Sequence, residues 1–303
     1  MDKIFYSVVF IVFFFNIYSQ SLNEFLGFKD ADKLLIIHAD DLGFAHSENA
    51  ASFEAMKSGV VNSGSIIVPG PWFLEVVNEY RKNPHFDLGI HLAVTSEWRD
   101  YKWGPVSPVD KVKSLVNQYG YFYSSVDSVV MHAKPEELEL ELTNQIEKCL
   151  NAGLDITHLD GHMGFHLGSE KFLDIYIKLG KKYQLPILFN KVFFAIAKGG
   201  NEKYSYFIDN IYGVPQDSFP DKMITYYHNL LSNFPSGISE IILHTAYDDA
   251  EMQAICVDHP YWGSAWRQQD YNFVMNEETI VNLRKNDIKL VTWREIRDKV
   301  IRK

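Results

Sequence analysis

The sequence predicts an α/β fold: a TIM-like (β/α) barrel, incomplete, of about seven strands. Three observations carry that expectation. Short apolar runs recur along the chain, and segments of helical pattern separate them. Polar residues capable of chemistry fall at the carboxyl ends of several runs. Alternating strand and helix is the pattern of a parallel sheet with crossover helices. In a parallel barrel all strands present their carboxyl ends on one rim, where catalytic groups collect.

The runs are Leu34–Ile37, Ser65–Val68, Leu88–Leu92, Ile156–Leu159, Ile187–Phe189, Ile241–Leu243 and Lys289–Thr292. Between them, "SENAASFEAMKSG" and "PEELELELTNQIEKCLNAG" read as helices. The second opens with Pro135 and acidic residues and closes at Gly153, the expected asymmetry of helix ends. Its acidic side is a solvated face, with Leu138, Leu142 and Ile146 turned inward. "SEKFLDIYIKLGKKYQ" and "NEETIVNLRKNDI" are further helices. Segments 95–134 and 195–235 are long insertions, placed to form loops over the rim.

The 303 residues include 47% hydrophobic ones, enough for one large core. With a net charge of −10, from 29 basic and 39 acidic residues, nothing suggests the basic patch a nucleic-acid partner requires, and none is expected. After Lys3 comes an apolar run too short for a membrane span of ~20 residues, with Ser19 suited to cleavage. Residues 1–19 are therefore expected to be a signal peptide, and residues 20–303 a single exported domain, periplasmic or extracellular. No cysteine follows the run, so no lipid anchor or stable membrane attachment is expected. Export permits a disulfide between Cys149 and Cys256, but two buried thiols suit the pattern equally.

The stretch "KLLIIHADDLGF" ends its apolar run in His38, Asp40 and Asp41. Adjacent carboxylates repel each other, and burying them is costly unless positive charge lies beside them. The third run, "DLGIHLAVT", carries His91. The fourth, "ITHLDGHMGFH", carries His158, Asp160, His162 and His166. The sixth, "EIILHTAYDD", ends in His244. Four runs thus deliver His or Asp to one rim. One carboxylate with two imidazoles is an open divalent-metal site with room for water and a substrate oxygen. The second carboxylate can then take a proton from the attacking water.

These segments resemble the YdjC/ChbG family of carbohydrate deacetylases. "HADDLG", "GIHLAVT", "THLDGHMGFH" and "LHTAYDD" stand in that family's order, from about residue 33 to about 295. The resemblance implies a TIM-like barrel that uses a divalent metal to remove acetyl groups from amino sugars, notably acetylated chitooligosaccharides. Carried over by motif, Asp41, His91 and His162 become metal ligands, Asp40 the general base, and His244 the general acid. Asp160 orients a histidine. The ligand types suit zinc or magnesium, and manganese and cobalt also fit. The chain departs from the family in having His38 where Asn is frequent. Met163 and Gly164 stand within the fourth motif, and His244-Thr245-Ala246 replaces His-Pro-Gly.

Aromatic residues, 15% of the chain, suit a carbohydrate-facing surface. Trp98, Tyr101 and Trp103 follow the third run, placed to stack on sugar or to pack a lid. "DHPYWGSAWRQQD" offers Tyr261, Trp262 and Arg267 as substrate contacts. Other readings of the same residues are a carbohydrate O-acetyl esterase, a phosphoesterase, and a sugar-binding barrel without turnover. A phosphoesterase favours two metals and more carboxylates than these motifs supply. A pure binder has no need of Asp40 and His244.

Overall fold

The computed structural model describes residues 21–189 and 208–303. The expected signal peptide lies outside them, as does the start of the second insertion, residues 195–207. Seven parallel strands form one curled, open sheet: β1 (Lys33–Leu42), β2 (Ser63–Ile66), β3 (Leu88–Leu92), β4 (Leu159–Gly161), β5 (Asn210–Tyr212), β6 (Gly237–Leu243) and β7 (Ile288–Leu290). Their order is β4-β3-β2-β1-β6-β5, with β7 also on β1. An incomplete barrel is therefore what the chain builds. The lower half of β1 pairs with β7 through Lys33–Leu35, and its upper half pairs with β2 from His38. Asn62 bridges the two: its Oδ1 accepts from the Ile37 amide at 2.7 Å, and its Nδ2 donates to the Val291 carbonyl at 2.6 Å.

Several expectations shift. The fourth strand begins at Leu159 rather than ending there. Ile187–Phe189 forms no strand; Ile187 makes one isolated bridge to Leu159. The fifth strand is Asn210–Tyr212 instead, inside the expected second insertion, which also contains the helix Met223–Ser232. The first insertion carries the helix Val126–His132. The anticipated helices appear as His46–Ser58, Pro135–Asn151, Glu170–Tyr183 and Glu277–Lys285. In Pro135–Asn151 the three apolar residues are buried as expected, and so is Glu141, which accepts from the Val106 and Ser107 amides at 2.9 Å each. That carboxylate ties the first insertion to the barrel wall. Cys149 and Cys256 are buried free thiols.

The sheet's period of two places alternate residues on opposite faces. On β1, Leu35, Ile37 and Ala39 pack into the main core, toward the helices. Leu34 and Ile36 join Ile238, Val291, Trp293 and Ile296 in an apolar plug at the barrel floor. Continuing that inner face upward come His38 and Asp40. The neighbouring strands do the same with Ser63, Ser65, His91, Asp160 and Glu240, all buried. The interior thus changes from hydrocarbon to polar groups one turn of the pleat below the rim.

Candidate active site

Adjacent residues on a strand point to opposite faces, so a regular β1 cannot aim both Asp40 and Asp41 inward. It does so through a bulge. From Ala39 to Leu42, β1 takes three steps against two on β2, from Gly64 to Ile66. Asp41 sits there with φ 65°, a left-handed conformation uncommon for a non-glycine residue. The following Gly43, φ 90°, completes the turn where an added Cβ would lie 2.9 Å from the Ile67 carbonyl oxygen.

Three ligand atoms meet at this bulge. Asp41 Oδ1 lies 3.5 Å from His91 Nε2 and 3.4 Å from His162 Nδ1, and the two nitrogens are 3.1 Å apart. Each imidazole has its far nitrogen on a carboxylate. His91 Nδ1 donates to Asp160 Oδ1 at 2.5 Å, and His162 Nε2 to Glu97 Oε2 at 3.0 Å. With the far nitrogens protonated toward those carboxylates, a neutral imidazole turns its near nitrogen's lone pair toward Asp41. Asp41 Oδ1 is buried with no hydrogen-bond partner. Three donor atoms converge there, a place that a proton shared between the imidazoles or a metal ion can fill. Their spacing suits a metal ion: a tetrahedral centre with bonds of ~2.0–2.1 Å has ligand–ligand edges of about 3.3–3.4 Å.

The charge balance agrees. Three buried carboxylates, Asp40, Asp41 and Asp160, and the part-buried Glu97 surround the two imidazoles. Burial opposes ionisation of Asp41, but Arg267, His162 and His244 hold its carboxyl well below the usual range. Burial also opposes protonation of His162, yet Glu97 and Asp41 push it up to about 9. The cluster draws positive charge, as a proton or as an ion.

Asp40 stands beside this triangle. Its Oδ1 accepts from Ser65 Oγ at 2.7 Å and lies 3.0 Å from His91 Nδ1. Its Oδ2 faces His244 Nε2 at 3.8 Å. Burial would raise Asp40, but His91 and His38 outweigh it and keep the carboxyl well below its usual range. Beneath, His38 spans Ser63 Oγ at 3.2 Å and Ser65 Oγ at 3.0 Å, with Asp160 Oδ2 3.3 Å away. His244 is part-exposed at the end of β6. Its backbone amide donates to Asp270 Oδ2 at 3.0 Å. Burial, with Arg267 nearby, pushes the His244 imidazole down to about 4.

A cavity of about 810 Å³ opens above these groups. Its walls include Trp98, Met163, Leu167, Phe189, Tyr261 and Trp262. Tyr261 and Trp262 expose about two-fifths of their surface, 41% and 42%. Trp98 also borders the cavity but is buried, stacked on Phe44 with centroids 5.4 Å apart. Trp103, expected at the sugar, does not border the cavity. It is buried against Phe44 and His162 because the first insertion folds back over the rim. Arg267 lines the cavity but is buried beside Asp41, its guanidinium engaged by protein acceptors.

Residues 34–284 match the YdjC-like protein family. The chain belongs to that family. This YdjC-like chain is similar to the carbohydrate deacetylase of Thermoanaerobacter pseudethanolicus, at 28% identity over 86% of this chain and 98% of that protein. It is similar to the carbohydrate deacetylase of Thermus thermophilus at 29% identity over 88% and 94%. A crystal structure from Enterococcus faecalis, named for cellobiose-phosphate cleavage, has a TM-score of 0.73 at 24% identity. It covers 88% of this chain and 99% of its own, and at that identity the likeness bears on the fold.

Within this YdjC-like site, the motif residues Asp40, Asp41, His91, His162 and His244 meet as a group, and Asp160 orients His91. Glu97 and Glu48 were not singled out from the sequence. Glu97 lies in a loop 65 residues from its histidine, and only its place beside Trp98, just after the "GIHLAVT" motif, hinted at it.

Proposed function

We propose that the chain removes acetyl groups from an acetylated amino sugar or oligosaccharide by metal-assisted hydrolysis. The observation that carries this reading is the triangle of Asp41 Oδ1, His91 Nε2 and His162 Nδ1, with Asp40 beside it and His244 facing Asp40 at 3.8 Å. The similar carbohydrate deacetylases support the substrate class. The nitrogen-rich donor set and near-tetrahedral spacing favour zinc. A divalent ion bound there supplies Lewis-acid polarisation of the acetyl carbonyl and lowers the pKa of water.

The protein's own groups do the rest. Asp160 and Glu97 hold the two imidazoles in the required tautomers. Asp40 has Oδ1 committed to Ser65 and His91, so Oδ2 is the oxygen left to accept the proton of the attacking water. Water's hydroxyl adds to the acyl carbon. His244 starts neutral, takes up the proton from the Asp40 side, and passes it to the departing nitrogen as the C–N bond breaks. Acetate and a free amine result. Tyr261 and Trp262 offer apolar faces for the sugar ring.

The test is acetate release from a panel of N- and O-acetylated oligosaccharides, by wild type and His244→Gln. Wild type is expected to release acetate from N-acetyl substrates. His244→Gln is expected to fold, bind metal, and lose ~10²–10⁴-fold on acetamides. Its loss on an acetyl ester with a good leaving group should be much smaller, because that group departs unprotonated. Equal losses on both substrates contradict the acid role of His244. Release from esters alone by wild type makes the protein an O-acetyl esterase.

A further inference from the structure

We propose that Arg267 is a positioning residue: one buried guanidinium sets the carboxylate of Asp41 and the backbone of the aromatic wall at Trp262. The inference rests on the proposed metal site.

Arg267 comes from the helix Ser264–Met275, and it is 1% exposed. Each of its nitrogens meets a different partner. Nη2 donates to Asp41 Oδ2 at 2.8 Å, Nη1 to Glu48 Oε2 at 2.5 Å, and Nε to the Trp262 carbonyl at 2.7 Å. Its guanidinium carbon lies beside the stacked pair Phe44 and Trp98, 5.2 and 5.5 Å from their ring centroids. A lysine ammonium cannot reproduce that fork.

Two of those partners share a feature. Asp41 has φ 65° and Trp262 has φ 55°, both left-handed without being glycine. Such backbones are costly and persist where surrounding structure over-determines them. Here the same guanidinium helps to hold both. By taking Asp41 Oδ2, Arg267 leaves Oδ1 alone to face His91 and His162, so Asp41 offers the site a single oxygen. By taking the Trp262 carbonyl, it fixes the loop that carries the half-exposed indole. The loop is braced further where Asp258 pairs with Arg99 and His259 meets Trp98 edge-on, centroids 4.8 Å apart.

The experiment compares wild type with Arg267→Lys and Arg267→Ala, reading Tm as zinc is titrated into metal-free protein. A ligand that binds the folded state raises stability by RT ln(1 + [L]/Kd), so the zinc dependence reports affinity even in a destabilised variant. Both variants are expected to need 10–100-fold more zinc for the same rise in Tm, as with other losses of supporting contacts at metal ligands. Arg267→Lys is also expected to raise KM for an acetylated oligosaccharide several-fold more than for a small acetyl ester. A uniform drop in Tm with an unchanged zinc increment makes Arg267 merely structural and overturns the proposal. Equal KM changes on the two substrates overturn the part concerning Trp262. Absence of any zinc-dependent rise in wild type instead refutes the metal site itself.

Discussion

Asp40→Asn is expected to slow acetate release by ~10²–10⁴-fold while the protein keeps its metal. The amide retains an oxygen in the place of Oδ1, where Ser65 donates at 2.7 Å. It replaces Oδ2, the oxygen turned to His244, with a nitrogen that takes no proton. Asp40 is outside the ligand triangle, so metal content measured on the same preparation should match wild type. An Asp40→Asn protein that loses its metal, beside an Asp41→Asn protein that keeps it, would exchange the roles of the two carboxylates.

Asp41→Ala should have the larger effect on the protein as a whole. It removes the one ligand oxygen, so metal and activity should disappear together. It also removes the partner of Arg267 Nη2 in a buried pair, a change that typically costs ~3–5 kcal/mol. Glu48 remains beside the arginine and blunts that loss. The measurement is Tm with metal content: the variant should melt below metal-free wild type and show no further rise when zinc is added. A variant that binds zinc with wild-type affinity would remove Asp41 from the ligand set.

The architecture was legible where apolar runs are regular. The run Leu88–Leu92 is β3 with no adjustment, and four helices fall where their periodicity places them. Legibility failed where the interior turns polar. β1 runs on through His38, Asp40 and Asp41, and β4 is built from Leu159, Asp160 and Gly161. Inward-facing charged residues break the hydrophobic signal at the strand ends that matter most. The helix Ser264–Met275 was missed for the same reason. Its buried face mixes Trp266 and Phe273 with Arg267 and Asp270, so no apolar stripe appears. β5 is three residues long and adjoins no motif.

For the site, motif order was enough to name the triangle and its two flanking groups. It did not supply the bulge that turns Asp40 and Asp41 to the same side. Nor did it supply Glu97 on His162, since a loop carboxylate reaches its histidine only after folding. Trp103 illustrates the converse: an aromatic near a motif packs against it as readily as it faces a ligand.

Joint measurement of bound metal and acetate release across a graded series of metal occupancies tests the Asp41–His91–His162 site most directly. Metal is removed with a chelator and zinc is restored in steps, with Tm followed in parallel. One ion per chain is expected, with acetate release proportional to occupancy, and with Asp41→Ala, at zero occupancy, on the same line. Full release of acetate by metal-free, folded wild type would contradict metal-assisted hydrolysis at this site.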